Sequence, residues 1–157
     1  MGVPMAGFIL KACYPMSVFS RSPACRQKLV ALGAREALST SECARAAEVI
    51  FSAVADDGAL REVALGPHGV LANARRGAIF ADTSTVSPEV SAEIDREAIA
   101  RGVSYLSMPI SGNAASAASN LQALINEAQA QSGKKISVVQ ANAIIAASSM
   151  RQSSSPR

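Results

Sequence analysis

Aromatic residues make up only 4% of this 157-residue chain, and charged residues only 17%. Beyond residue 20 the aromatics are Phe51, Phe80 and Tyr105, the first two inside apolar runs. Nothing there forms a platform on which bases could stack, which argues against a nucleic-acid partner. The surplus of positive charge is also small. The formal net charge is +3, yet residues 1–112 carry eleven basic and eleven acidic side chains. The excess lies in Lys134, Lys135, Arg151 and Arg157, opposed by Glu127 alone. The charges of the first 112 residues thus cancel, which also argues against a nucleic-acid partner.

Long hydrophobic runs are missing too. None approaches the roughly 18 residues of a membrane span, so a soluble chain with no membrane partner is expected. The apolar stretch Met5–Leu10 has no basic region before it and is interrupted by Gly7, so it does not read as a secretory signal. A cytoplasmic location is expected, with the mitochondrial matrix as the eukaryotic alternative. Cysteine is sparse: Cys13, Cys25 and Cys43 show no Cys-x-x-Cys spacing, and the sole histidine, His68, is distant. A zinc site needs about four ligands and a disulfide scaffold a denser, even set, so no metal is expected and the thiols read as buried or incidental. His68, in Gly66-Pro67-His68-Gly69, reads as a solvated turn residue.

What the sequence does have is apolar residue, at 49%, enough for a buried core at this length. The apolar segments come in an informative order, and no internal repeat interrupts them. Residues 3–12 suggest a helix, then Met16–Phe19 a short strand, and residues 23–32 a helix stopped by Gly33. An extended piece at Arg35–Leu38 leads to a helix capped within Ser39–Ser41 and running through Ala47. Val49–Val54 is the strongest strand, and Asp56-Asp57 caps the helix that follows to Leu65. A strand at Ala78–Ala81, a helix opened by Ser87-Pro88-Glu89 and ended near Gly102, and a strand at Val103–Leu106 complete the alternation. Strands alternating with helices of this length specify crossover units and a parallel sheet, and short continuous apolar strands suit one covered on both faces. After residue 112 alanine, serine, asparagine and glutamine dominate. There Leu121–Ile125 and Ile136–Val139 suggest strands, Ala141–Ala147 a helix, and the last seven residues disorder.

Ligands of a doubly wound sheet bind at the carboxyl ends of its strands. Those ends carry Ser20-Arg21-Ser22, Val54-Ala55-Asp56 and Asp82-Thr83-Ser84-Thr85, with Gly2 ahead of the first helix. Around them stand Gly2-Val3-Pro4-Met5-Ala6 with Lys11-Ala12, Leu65-Gly66-Pro67-His68-Gly69-Val70-Leu71, Thr85-Val86-Ser87-Pro88 and Arg101-Gly102-Val103, and then Met108-Pro109-Ile110-Ser111-Gly112. Together and in this order they resemble the β-hydroxyacid dehydrogenases, a family that includes 3-hydroxyisobutyrate dehydrogenase, tartronate semialdehyde reductase and succinic semialdehyde (glyoxylate) reductases. The resemblance covers residues 2–125 and lies in the NAD(P)-binding domain of the 6-phosphogluconate dehydrogenase type.

The resemblance implies a Rossmann-like, doubly wound, mostly parallel α/β sheet. It makes Gly2 the last glycine of the phosphate loop, and it puts Ser20, Arg21 and Ser22 at the adenosine ribose. Arginine there supplies donors for a 2′-phosphate where an acidic residue would read the ribose hydroxyls of NAD(H), so NADP(H) is favoured. Val54 and Ala55 would line the cofactor groove, the family's proline being absent. Ser84 and Thr85 would sit by the nicotinamide, although helix capping explains them as well. Ser111, Gly112 and Asn113 would face a substrate carboxylate, with Asn113 in place of a glycine and Ser107 in place of a frequent aspartate. The implied reaction is hydride transfer at the CH–OH group of a short β-hydroxyacid, and the implied partner is such a hydroxyacid or its semialdehyde.

Two departures limit that reading. The family's catalytic lysine, followed three or four residues on by asparagine, has no counterpart: neither Lys134 nor Lys135 has that spacing, and no catalytic residue is assigned. The family's first strand, central in its sheet, is expected ahead of Met1, so the sheet is expected to lack it. Residues 1–125 thus read as a partial NAD(P)-binding domain and 126–157 as a divergent tail, with little or no activity alone. Lys135–Gln140 is a candidate to fill the vacant central position. The alternative functions are a non-catalytic nucleotide-binding or interaction module and a vestigial product. A flavodoxin-like response domain, with Asp56, Asp57 and Asp82 as its acidic cluster, is a further alternative.

Overall fold

The computed structural model describes residues 2–11, 13–109, 130 and 141–145. Helix α1 (Gly2–Lys11) puts Met5, Ala6 and Ile9 on one face, spaced as a helical stripe must be. It leads into strand β1 (Ser17–Phe19). Helix α2 (Pro23–Val30) starts on proline, whose fixed φ suits a first turn. Gly33, at φ 101°, then reverses the chain into β2 (Arg35–Glu36). The cap expected within Ser39–Ser41 is Ser39, whose side chain accepts from the Glu42 N–H at 3.1 Å and opens α3 (Thr40–Arg45). Glu42 in turn accepts from the Leu38 N–H at 2.8 Å, so the turn before this short helix is held by one reciprocal pair.

Strand β3 (Val49–Ala53) is followed by α4 (Asp57–Leu65), which Asp56 caps through the Ala59 N–H at 2.8 Å. A single-turn helix, α5 (Val70–Asn73), was not foreseen; it occupies the stretch after Gly69. Strand β4 (Ile79–Asp82) precedes α6 (Pro88–Arg101), capped by Ser87 and closed by Gly102 in the left-handed region at φ 70°. Strand β5 (Ser104–Ser107) completes the alternation up to residue 109.

Among the described residues all strand pairings are parallel, in the order β2-β1-β6-β3-β4-β5. The sixth strand, β6 (Ala141–Ile145), lies at the centre. It pairs with β3 from Val49↔Ala141 to Ala53↔Ile145, and with β1 at Val18↔Ala143 and Phe19↔Ile144. Two expectations are corrected here. Ala141–Ala147 is not a helix, because residues 141–145 are strand. The segment that fills the centre is Ala141–Ile145 rather than Lys135–Gln140, a strand from within the expected tail. Alanine favours helix, but β1 and β3 each present an open row of backbone donors and acceptors at this position. Pairing with both outweighs the tenths of a kcal/mol per residue that separate propensities. The candidate strands at Leu121–Ile125 and Ile136–Val139 lie outside the described residues.

Strand residues alternate between two faces, as a pleat requires. Val49, Phe51, Ile79 and Ala81 join Met5, Ala6, Ile9 and Leu29 in one apolar cluster under α1 and α2. Ile50, Ala78 and Phe80 point the other way, into a cluster with Leu60, Val70, Val90, Ile94 and Ala98 from α4, α5 and α6. The continuous apolar strands are therefore buried on both sides, as their composition implies. No helix among the described residues is long and apolar enough to cross a membrane.

Candidate functional site

The ends of β1, β3 and β4 lie along one edge of the sheet, because the strands are parallel and paired in register. Helix α1 returns to the opposite edge before β1 begins, so its first residue, the buried Gly2, opens on the same edge as those strand ends. Its unpaired N–H groups there favour negative charge.

Past the end of β1, Ser20 is buried and Arg21 is exposed. The Arg26 guanidinium donates to the Ser20 carbonyl, and its Nε donates to Glu36 Oε1 at 2.7 Å. The Ser22 N–H donates to Ser20 Oγ at 3.3 Å. Arg26 thus fixes the turn that carries Arg21, a role its helical position alone did not disclose.

Beside Arg21 is a cavity of about 330 Å³. Phe19 and Arg21 form one wall, and Ala59, Glu62 and Val63 of α4 another. Ser39, Thr40 and the turn Gly66-Pro67-His68 complete it. His68, read from sequence as a solvated turn residue, is indeed exposed, but it also lines this cavity. The Arg21 guanidinium lies 3.8 Å from Glu62 Oε2, with their side chains 55% and 72% exposed. An ion pair that open is loose, worth no more than about 1 kcal/mol.

At the ends of β3 and β4 the polar groups are buried. Ser52 and Asp82 are register partners, and Ser52 Oγ donates to Asp82 Oδ1 at 2.5 Å. Ser84 Oγ donates to the same oxygen at 2.7 Å and accepts from the Val54 N–H at 2.9 Å. Ser84 thereby ties the two loops that carry Val54-Ala55 and Ser84-Thr85. Ala55 and Thr85 themselves are exposed. Asp82 Oδ2 is buried with no hydrogen-bond partner among the described residues. Burial pushes the Asp82 carboxyl above its ordinary 3.8, against the lowering influence of the serine hydrogen bonds. The Ser52–Asp82 pair was missed; the one available signal was a polar residue near the end of each of two neighbouring apolar strands.

The remaining candidates separate. Asp56 caps α4, while Asp57 accepts from the Ser87 N–H at 2.9 Å and the Ser87 hydroxyl at 2.6 Å. Those hydrogen bonds hold the Asp57 carboxyl below its ordinary range. With Asp82 buried and bonded to serines, the three acids do not form the cluster a response domain needs. Among the described residues no group of three His, Cys, Asp or Glu side chains could hold a metal. Cys13 is exposed, Cys25 half-buried and Cys43 buried, its thiol pushed up to about 12 by burial. Ser111, Gly112 and Asn113 lie outside the described residues.

A parallel sheet with helices on both faces, a helix N-terminus at the carboxyl edge and a cavity beside it define a doubly wound α/β domain of the dinucleotide-binding class. Comparison with known proteins narrows this. The family described as the NAD binding domain of 6-phosphogluconate dehydrogenase matches residues 1–148, and the chain belongs to it.

The chain is 35% identical over 112 residues to 3-hydroxyisobutyrate dehydrogenase of Pseudomonas aeruginosa, covering 71% of this chain and 38% of that protein. It is 33% identical over 118 residues to an uncharacterized oxidoreductase of Shewanella frigidimarina, covering 74% of this chain and 40% of the relative. The match thus spans less than half the length of these curated relatives. Among solved structures, Psf3 in complex with NADP+ and 2-OPP superposes with a TM-score of 0.73 at 25% identity. That superposition covers 92% of this chain and 53% of Psf3.

Proposed function

We propose that this chain is the nucleotide-binding part of an NAD(P)-dependent oxidoreductase, with NADP(H) favoured over NAD(H). The observation that carries the reading is Arg21, exposed on the wall of a cavity at the carboxyl edge of a family nucleotide-binding sheet. A planar, permanently charged guanidinium suits a 2′-phosphate, and the buried Ser20 and the turn at Ser22 keep it at that edge. The residues present fit such a cofactor. Gly2 opens α1 where backbone N–H groups can receive a pyrophosphate, since glycine lets it approach closely. Val54, Ala55, Ser84 and Thr85 form the neighbouring stretch of the same edge, and the Ser84–Val54 hydrogen bond holds them at a fixed separation. NADP+ in the Psf3 structure supports the choice.

When bound, the nicotinamide supplies the hydride chemistry, and the chain's own residues bind and orient. The substrate class is a short β-hydroxyacid or its semialdehyde, by kinship with 3-hydroxyisobutyrate dehydrogenase. Ser111, Gly112 and Asn113 are proposed to face its carboxylate. No lysine of the sequence has an asparagine three or four residues on, so the reading assigns binding to this chain and no proton transfer.

The test is titration of NADPH fluorescence with purified chain. Saturable micromolar binding, tighter than that of NADH, is expected, together with hydroxyacid turnover at background. No saturable change with either nucleotide refutes the assignment; turnover well above background refutes the division of labour.

A further inference from the structure

Glu62 has no part in the family motifs, yet its carboxylate stands on the wall of the cavity beside Arg21. It comes from α4, forty-one positions along the chain, and meets the guanidinium at 3.8 Å across the cavity's rim. Among the described residues, His68 is the one other charged or titratable group on that cavity, and it is exposed in the turn after α4. The rim therefore presents one fixed positive charge and one carboxylate side by side.

That pairing has opposite consequences for the two nucleotides. A 2′-phosphate seated against Arg21 brings about two negative charges next to the Glu62 carboxylate, which must move away or be repelled. A ribose with a free 2′-hydroxyl brings none, and a carboxylate can accept its hydrogen bond. We infer that Glu62 sets the cofactor preference of this chain by opposing the 2′-phosphate that Arg21 attracts. This rests on the nucleotide-binding reading above. It makes the chain a weak discriminator, in which NADP(H) is preferred by less than about tenfold. Glu62 acts through its charge at the rim and takes no part in a chemical step.

The experiment compares the dissociation constants of NADPH and NADH for the wild type, Glu62→Gln and Arg21→Ala. Glu62 is exposed and caps nothing, so the glutamine variant should melt as the wild type does. In Glu62→Gln, NADPH should bind about three- to tenfold more tightly, with NADH unchanged or weaker. The gain should shrink at 0.5 M salt, since the charges are open to solvent. Arg21→Ala should lose NADPH preference. If the NADPH-to-NADH ratio is the same in Glu62→Gln as in the wild type, the inference fails while nucleotide binding stands. If the wild type binds neither nucleotide, both fail together.

Discussion

Asp82 is fully buried at the end of β4, with two serine hydroxyls on one oxygen and no partner on the other among the described residues. Its carboxyl is raised chiefly by desolvation, so the folded chain holds a proton there more readily than the unfolded chain. That contribution to stability is fully present below the ordinary value of 3.8 and is lost as pH rises through the higher folded value. Asp82→Asn removes the titration while keeping an acceptor for Ser52 and Ser84. The stability of the wild type minus that of Asp82→Asn, from denaturant melts between about pH 4 and 7, should fall as pH rises. Asp57, whose carboxyl is lowered, pushes the opposite way, but it is common to both proteins and cancels in the difference. A difference that is flat, or that grows with pH, would contradict the assignment. Site residues differed in how far the sequence disclosed them. Arg21 was visible because it stands in a strand-end motif. Glu62 was not, because only the crossover through α3 and β3 brings α4 beside the end of β1.

Among the elements, β6 carries the most consequence per residue. It is the only strand pairing that joins β2-β1 to β3-β4-β5 in the described sheet. Ala143 is paired with Val18 on one side and Phe51 on the other. Proline at 143 removes a backbone donor in the middle of the sheet and sets a ring against its neighbours. Ala143→Pro should cost at least about 2 kcal/mol in urea melts, given the cost of an unmade buried backbone bond. Hydrogen exchange should show the amides of residues 141–145 protected to an extent comparable with β3. A variant within about 0.5 kcal/mol of the wild type would rule out this strand as the centre of the sheet. Apart from the single-turn α5, the other elements were legible because each combined a periodic apolar run with a start or stop signal, such as Ser39, Asp56 and Ser87 at helix starts and Gly33 and Gly102 at reversals. For residues 141–145 no such signal existed, and local alanine content pointed to the wrong state.

On the scale of the whole molecule, the two apolar clusters fix the sheet between helical layers, and the strand ends form one edge on which the nucleotide is proposed to bind. A ligand that binds only the folded chain stabilises it through mass action. At a hundred times its dissociation constant, NADPH should add about 2.7 kcal/mol. For a chain of this size the midpoint of thermal unfolding should then rise by roughly 5–10 °C. The rise should continue with concentration, as linkage requires, and should be smaller with NADH at equal concentration. A midpoint unmoved by saturating nucleotide would remove the proposed site as a feature of the folded chain.

The sequence by itself determined the class of architecture. Alternating apolar strands and capped helices leave few ways to bury both faces of each strand, and the doubly wound parallel sheet is one of them. It also determined which strand ends carry polar groups, since those motifs are local. Three matters were left to the tertiary structure: which segment occupies the centre of the sheet, which carboxylate faces Arg21, and which serines enclose Asp82. Each depends on at least one contact between residues thirty or more positions apart, as Ser52 is from Asp82. Such contacts follow from strand order and crossover, and these are settled by the joint packing of all the elements rather than by any one stretch of sequence.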